Sequence, residues 1–361
     1  MSRKGLTRRE FVGKAAKAAV ALAGGSALVT PPLARPAAAA APAKDILNYQ
    51  PSMNYRKLGK TDLWLSELSL GGHWRTREGE RYWGSFPNDQ VPADVMRDRE
   101  EVVGRAIDLG INYVDITTPG EATAYGNALK ALGERMYVGY SDYILCIRNP
   151  DNRTQEKIMF EIDEGLRRLG MDCMDIFRPQ ADMGGNHTDA EMDTMVETGR
   201  LAKEQGKIRH LGLSTHSREF VIRLMQGWPE FEMFIFPYMA ESKIDSEHSV
   251  FPLLREKNCG LVTIKPFAGG SLFRDAERKE GPDVDRYEVA SIALRRILSN
   301  EYLTASVPGM TTIDELENNV SIWKQPKQLT EAEDRLLKRE FRHAMANLPP
   351  DYRWLRDWEY V

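Results

Sequence analysis

The sequence predicts an α/β protein: a closed (β/α)8 barrel with an N-terminal hairpin cap, and a helix plus aromatic tail after the last strand. Three observations predict it. Short apolar runs rich in β-branched and aromatic residues recur eight times, over 68–72, 112–117, 136–141, 174–177, 210–215, 233–238, 260–266 and 305–309, as buried parallel strands do. Amphipathic segments of helix length stand between them, over 99–109, 155–169, 189–204, 217–225, 249–258 and 286–298, several ending on Gly or Asn, the common helix stop. The strand ends advance by about 34 residues per unit, which suits a strand-helix repeat with right-handed crossovers. An open doubly wound sheet is the competing architecture, but no GxGxxG follows the first strand.

In chain order, residues 1–44 read as a leader. Thr7-Arg8-Arg9-Glu10-Phe11-Val12 precedes an Ala/Leu/Val run and an Ala-rich stretch, the pattern of a twin-arginine export signal. Its apolar run is short and interrupted by Lys17, so no stable membrane span is expected. The protein is therefore expected to meet the twin-arginine export machinery and to work in the periplasm or outside the cell. Residues 45–52 are a linker, and 53–361 form the barrel domain. Without the leader the chain carries 49−8=41 basic and 53−1=52 acidic residues, a net charge of 41−52=−11, which argues against a nucleic-acid partner. Cys146, Cys173 and Cys259 form no CxxC pair and read as thiols rather than a disulfide or zinc framework.

Tyr55 to Leu65 reads as a small hairpin capping the barrel. The strand at 112–117 is central, because it ends on Asp115, and a carboxylate at the mouth of a buried strand needs a partner or a task. The connection over 73–97 carries Trp74, Arg75, Arg77, Arg81, Tyr82, Trp83 and Phe86, and its length suits a binding loop. Residues 330–348 read as an amphipathic helix. The tail over 349–361 holds Tyr352, Trp354, Trp358 and Tyr360, and is expected to fold back onto the rim, since so many exposed aromatics invite aggregation.

Chemistry in such barrels lies at the carboxyl ends of the strands. That rule nominates His73, Asp115, Ser141, Arg178, Gln180, Ser214, His216, Tyr238 and Lys265. Asp115, Lys265, His73 and His216 are the acid/base candidates. Trp74, Arg178, Gln180 and Tyr238 are candidates for holding a small, sugar-like substrate. Lys265 reads in two ways, as a base or nucleophile with a lowered pKa, or as the ion-pair partner of Asp115. No HxH or HxxxH spacing supports a metal site.

Phrases spread along the chain carry a resemblance: Tyr55-Arg56-Lys57-Leu58-Gly59-Lys60-Thr61, Asp108-Leu109-Gly110-Ile111-Asn112-Tyr113-Val114-Asp115, Gly206-Lys207-Ile208-Arg209-His210-Leu211-Gly212-Leu213-Ser214, Lys265-Pro266-Phe267-Ala268-Gly269-Gly270, and Val307-Pro308-Gly309-Met310 followed by Glu317-Asn318-Asn319. From about Met53 to Thr330 the chain resembles the aldo-keto reductase superfamily. The resemblance implies carbonyl/alcohol interconversion with NADP or NAD, with Ser214, Thr215, Gly309, Met310, Asn318 and Asn319 at cofactor-binding positions. It also implies a relay of Asp, Tyr, Lys and His. Asp115 matches the first, whereas Gly120, Ser141 and Gln180 stand at the other three positions. Two further readings stay open at this point: a cofactor-independent acid/base enzyme (lyase, hydratase or epimerase) on a sugar-like compound, and a non-catalytic ligand-binding barrel.

Overall fold

A ring of parallel strands organises the chain. The computed structural model describes residues 43–72, 91–245, 247–273 and 285–361. The leader up to residue 42 and the greater part of the 73–97 connection, with His73 and Trp74, lie outside the described residues.

An antiparallel hairpin, β1 (Tyr55–Lys57) and β2 (Trp64–Ser66), comes first. Seven parallel strands follow in sequence order: β3 (Tyr113–Ile116), β4 (Tyr137–Tyr140), β5 (Met174–Phe177), β6 (Ile208–Ser214), β7 (Met233–Pro237), β8 (Gly260–Ile264) and β9 (Ala305–Val307). The eighth member is the expected strand at 68–72, reduced to bridges of Leu68 with Ser306 and Leu70 with Val114. Ser69 N donates to Ser306 O at 3.1 Å, and Asp115 N donates to Leu70 O at 2.8 Å. This segment therefore joins β9 to β3 and closes the ring, leaving no sheet edge there.

The hairpin stoppers the amino end of the barrel. Leu58, Leu63 and Leu65 are buried with Tyr113, Ile176, Met233, Ile235, Val262, Ala305 and Val307 in one apolar cluster. Arg56 fastens the hairpin by donating to Leu298 O and Leu303 O, both at 2.7 Å, and by pairing with Glu67.

Helices α1 (Ala93–Asp108), α2 (Pro119–Leu132), α3 (Gln155–Leu169), α4 (Asp189–Glu204), α5 (Arg218–Gly227), α6 (Phe251–Lys257), α7 (Arg286–Leu298), α8 (Ile313–Val320) and α9 (Glu331–Ala346) surround or flank the ring. The periodicity announced neither the short α8 nor α2, whose pattern Gly120 and Gly126 interrupt. Thr118 caps it by accepting from Glu121 N, Pro119 sits at its first turn, and Gly133 ends it with φ 66°. Gly126 is required for packing, since a Cβ there would fall 2.6 Å from the Leu169 carbonyl oxygen.

After α9, Pro350–Trp358 winds as a 3₁₀ segment and folds back onto the barrel, as its aromatic density predicts. Trp358 stacks on Phe236 at 5.1 Å and is buried. The strand-like end is bound by Val361 N to Lys243 O at 2.7 Å and Asp245 N to Val361 O at 2.8 Å.

Candidate active site

Side chains at the carboxyl ends of β3 to β5 form a buried polar network. Asp115 Oδ1 accepts from Arg178 Nε at 2.6 Å and from Tyr113 Oη at 3.1 Å. Arg178 also donates through Nη1 to Ser141 Oγ at 2.9 Å and through Nη2 to Ile116 O at 2.7 Å. Gln180 Nε2 donates to the same Ser141 Oγ at 3.0 Å. Tyr113, two residues before Asp115, points to the same inner face. Its ring fits because the facing residue is Gly139, where a Cβ would lie 1.9 Å from the phenol oxygen.

Burial pushes the Asp115 carboxyl above the ordinary range, and the neighbouring guanidinium pulls it back. Burial likewise holds the Tyr113 phenol far above its ordinary pKa. The network is thus a matched ion pair with a phenol that does not ionise near neutrality.

The ion pair opens on a cavity of about 880 Å³. Asp115, Arg178, Gln180, His216 and Lys265 all line it, as do Ser214, Gly309, Asn318 and Asn319. Lys265 is not the partner of Asp115; Arg178 holds that place, reaching from β5 across the glycine of β4. Lys265 instead has φ 62° and sets its Nζ 5.6 Å over the Tyr352 ring. His216 stacks on Trp354 with ring centroids 4.0 Å apart, and its Nδ1 is buried without a hydrogen-bond partner. Burial first, then Lys265 and Arg148, drive its pKa down to about 3, so the ring is neutral at pH 7.

Four of the nominated residues stand off the cavity wall: Ser141, held inside the network by Arg178 and Gln180, and three others. Tyr238 is buried against Phe251, edge to face at 5.7 Å, and accepts from Asn300 Nδ2. The Thr215 hydroxyl accepts from Ser217 N at 3.0 Å and starts the turn into α5. Met310 is buried, and its carbonyl accepts from Arg99 Nη1 at 3.0 Å. Thr215 and Tyr238 directly follow β6 and β7, where successive residues alternate sides, and Met310 lies in the loop after β9.

Sequence reasoning missed Arg148, which lines the cavity from the loop after β4 and donates to Gln180 Oε1 at 3.2 Å. No local pattern marks a loop arginine as inward-facing. It also treated Tyr113 only as an apolar strand residue. Tyr352 and Trp354 join the wall from the tail, and the aromatic density there was their only signal.

At the far end of the cavity, α8 begins with a capping box. Thr312 Oγ1 accepts from Glu315 N, and Glu315 Oε2 accepts from Thr311 N at 2.7 Å. Arg286 lies 3.8 Å from the same carboxylate. No group of three or more potential metal-ligating side chains occurs among the described residues.

Fold and cavity define a closed parallel β/α barrel with a small-molecule cleft at the carboxyl ends of its strands. The chain belongs to the aldo/keto reductase family, whose sequence model matches residues 85–288. It is 26% identical over 295 residues to L-galactose dehydrogenase of Arabidopsis thaliana, covering 74% of this chain and 86% of that one. It is 22% identical over 240 residues to L-glyceraldehyde 3-phosphate reductase of Escherichia coli, covering 61% and 63% of the two chains. Among solved structures it is similar to an aldo-keto reductase of Bacillus halodurans in its holo form, with TM-score 0.59 and 21% identity, covering 80% of this chain and 96% of that one. The protein is aldo-keto reductase-like, and this likeness supports an oxidoreductase.

Proposed function

We propose that the protein is an NAD-dependent oxidoreductase acting on a hydroxylated, sugar-like compound outside the cytoplasm. The observation that carries this reading is that the Asp115–Arg178 pair and the family's cofactor positions, Ser214, Gly309, Asn318 and Asn319, line one and the same cleft. The names of two relatives, a galactose dehydrogenase and a glyceraldehyde-phosphate reductase, agree with a sugar-like substrate.

The donor set at the far end fits a dinucleotide. Gly309 leaves open space: among the described residues outside its own chain neighbours, a Cβ built there meets only the Gly72 carbonyl oxygen, 3.9 Å away. The Glu315 carboxylate already takes the Thr311 N–H, a donor that an additional phosphate would need. It offers a ribose diol an acceptor instead, which favours NAD over NADP. When bound, the nicotinamide would supply hydride transfer.

The family's tyrosine, lysine and histidine positions hold Gly120, Ser141 and Gln180, so the protein's own groups must divide the work differently. Arg178, with its three nitrogens committed to Asp115, Ser141 Oγ and Ile116 O, holds the Asp115 carboxylate and the Ser141 hydroxyl in place at the mouth of the cleft. A guanidinium releases no proton in this range. His216, neutral and with its buried Nδ1 unpartnered, accepts a hydrogen bond from the substrate hydroxyl and orients it; with its pKa held down to about 3, it is not the base that carries the proton away near pH 7.

Titration calorimetry of the purified protein tests the cofactor assignment. NAD is expected to bind at least about tenfold more tightly than NADP, about 1.4 kcal/mol. Equal or stronger NADP binding, or no binding of either, would remove the reading. Export is tested by fractionating cells that express the full chain. Processed protein in the periplasm is expected, with unprocessed protein accumulating when Arg8 and Arg9 are both changed to Lys. Unaltered processing of that variant would reject the twin-arginine route.

A further inference from the structure

A second charged corner of the same cavity lies beyond the Asp115–Arg178 pair. Arg148 reaches the wall beside Gln180. Its Nε donates to Ala181 O at 3.3 Å and its Nη2 to Gln180 Oε1 at 3.2 Å. Both acceptors are neutral, and among the described residues Arg148 forms no ion pair and its Nη1 donates to nothing. A guanidinium held in place by neutral oxygens keeps its full charge and an unused planar edge, the shape that forks onto a carboxylate.

The neighbours fit the same ligand. Lys265 stands on the same wall, and both cations act on the ring of His216. The buried Nδ1 of His216 has no protein partner, so a ligand hydroxyl is the group that satisfies it. The carboxylates lining the cavity do not cancel this corner: Asp115 is matched by Arg178, Glu315 caps α8, and Asp351 is exposed at the rim.

We propose that this corner recognises the carboxylate of a sugar acid, with Arg148 forked onto the carboxylate and His216 meeting a nearby hydroxyl, so that the preferred substrate is an anionic polyol rather than a neutral sugar. The reaction performed on it rests on the oxidoreductase reading; the binding does not.

The test is calorimetric titration of the whole protein with D-glucuronate and D-galacturonate, their parent hexoses glucose and galactose, and glucose 6-phosphate, with NAD titrated separately. Uronates are expected to bind about tenfold or more tightly than the parent hexoses, the gain of one charge-assisted bidentate contact. Arg148→Gln should remove that preference while NAD affinity is unchanged, and Arg148→Lys should keep part of it. The proposal is overturned if uronates do not bind, if acid and neutral sugars bind alike, or if Arg148→Gln retains the preference. It is also overturned if glucose 6-phosphate outcompetes the uronates through Arg148. Loss of NAD binding beside an Arg148-dependent uronate preference would instead sink the cofactor reading and leave this one standing.

Discussion

Asp115 and Arg178 are both buried and lie 2.6 Å apart. Each therefore depends on the other, because a lone charge at that depth has no water to solvate it. Arg178→Met should destabilise the protein by roughly 3–5 kcal/mol, since it strands the carboxylate. The double variant Arg178→Met with Asp115→Asn should recover much of that loss, because no uncompensated charge remains. Urea unfolding of the two singles and the double measures the coupling. Additive losses would show that the pair is not a unit. Gly139 belongs to the same argument: a side chain there would displace the Tyr113 phenol that donates to Asp115.

At the scale of elements, the tail is the piece that local periodicity cannot place. Its aromatics have no helical or strand period, yet they are seated one by one: Trp358 on Phe236, Trp354 on His216, and Tyr352 under Lys265. Trp358 anchors the rest, since its carbonyl also accepts from Ser242 Oγ at 3.0 Å. Trp358→Ala should cost roughly 3–5 kcal/mol. It should also free the segment after α9 for limited proteolysis while the barrel stays intact. A tail no more readily cut than in the parent would mean that Trp358 is not the anchor. Freed from Trp354, His216 would regain water, so its pKa should rise toward the ordinary value, readable by NMR titration.

For the whole molecule, buried titratable groups pull stability in opposite directions. Burial lowers His187 to about 4 and His216 to about 3. Their contribution is complete above the unfolded value of about 6.5 and is lost as pH falls through the folded values. Glu161 behaves in the opposite sense. Buried between α3 and the barrel, it accepts from Asp142 N at 2.8 Å while its Oε2 has no partner, and burial raises it to about 8. Its contribution is complete below about 4.5 and is lost as pH rises through 8. Up to about pH 6.5 the two histidines raise stability as pH rises, whereas Glu161 lowers it, and the burial-raised carboxyls of Asp115, Asp142 and Glu241 act in the same sense as Glu161. Glu161→Gln should stabilise the protein increasingly from pH 4.5 to 8, with a constant difference above that. Urea midpoints measured across this range decide it, and a pH-independent difference would contradict the assignment.

The repeat of strand and helix, the hairpin and the returning tail were legible in the chain, because hydrophobic period and turn residues are local properties. Met174–Phe177, Gln155–Leu169, Asp189–Glu204 and Arg286–Leu298 form with the bounds their pattern implies, whereas α2 was hidden by its glycines. Asp115 could be singled out for the same reason, as a charge at the end of an apolar run. Which cation answers it could not. Lys265 and Arg178 both stand at strand ends, and only ring closure, strand tilt and the missing side chain of Gly139 bring Arg178 rather than Lys265 to the carboxylate. Arg148 and Trp354 reach the cavity from a loop and a tail whose directions depend on contacts far away in sequence. Composition and period determined the barrel; packing in three dimensions decided its charge pairs and its wall.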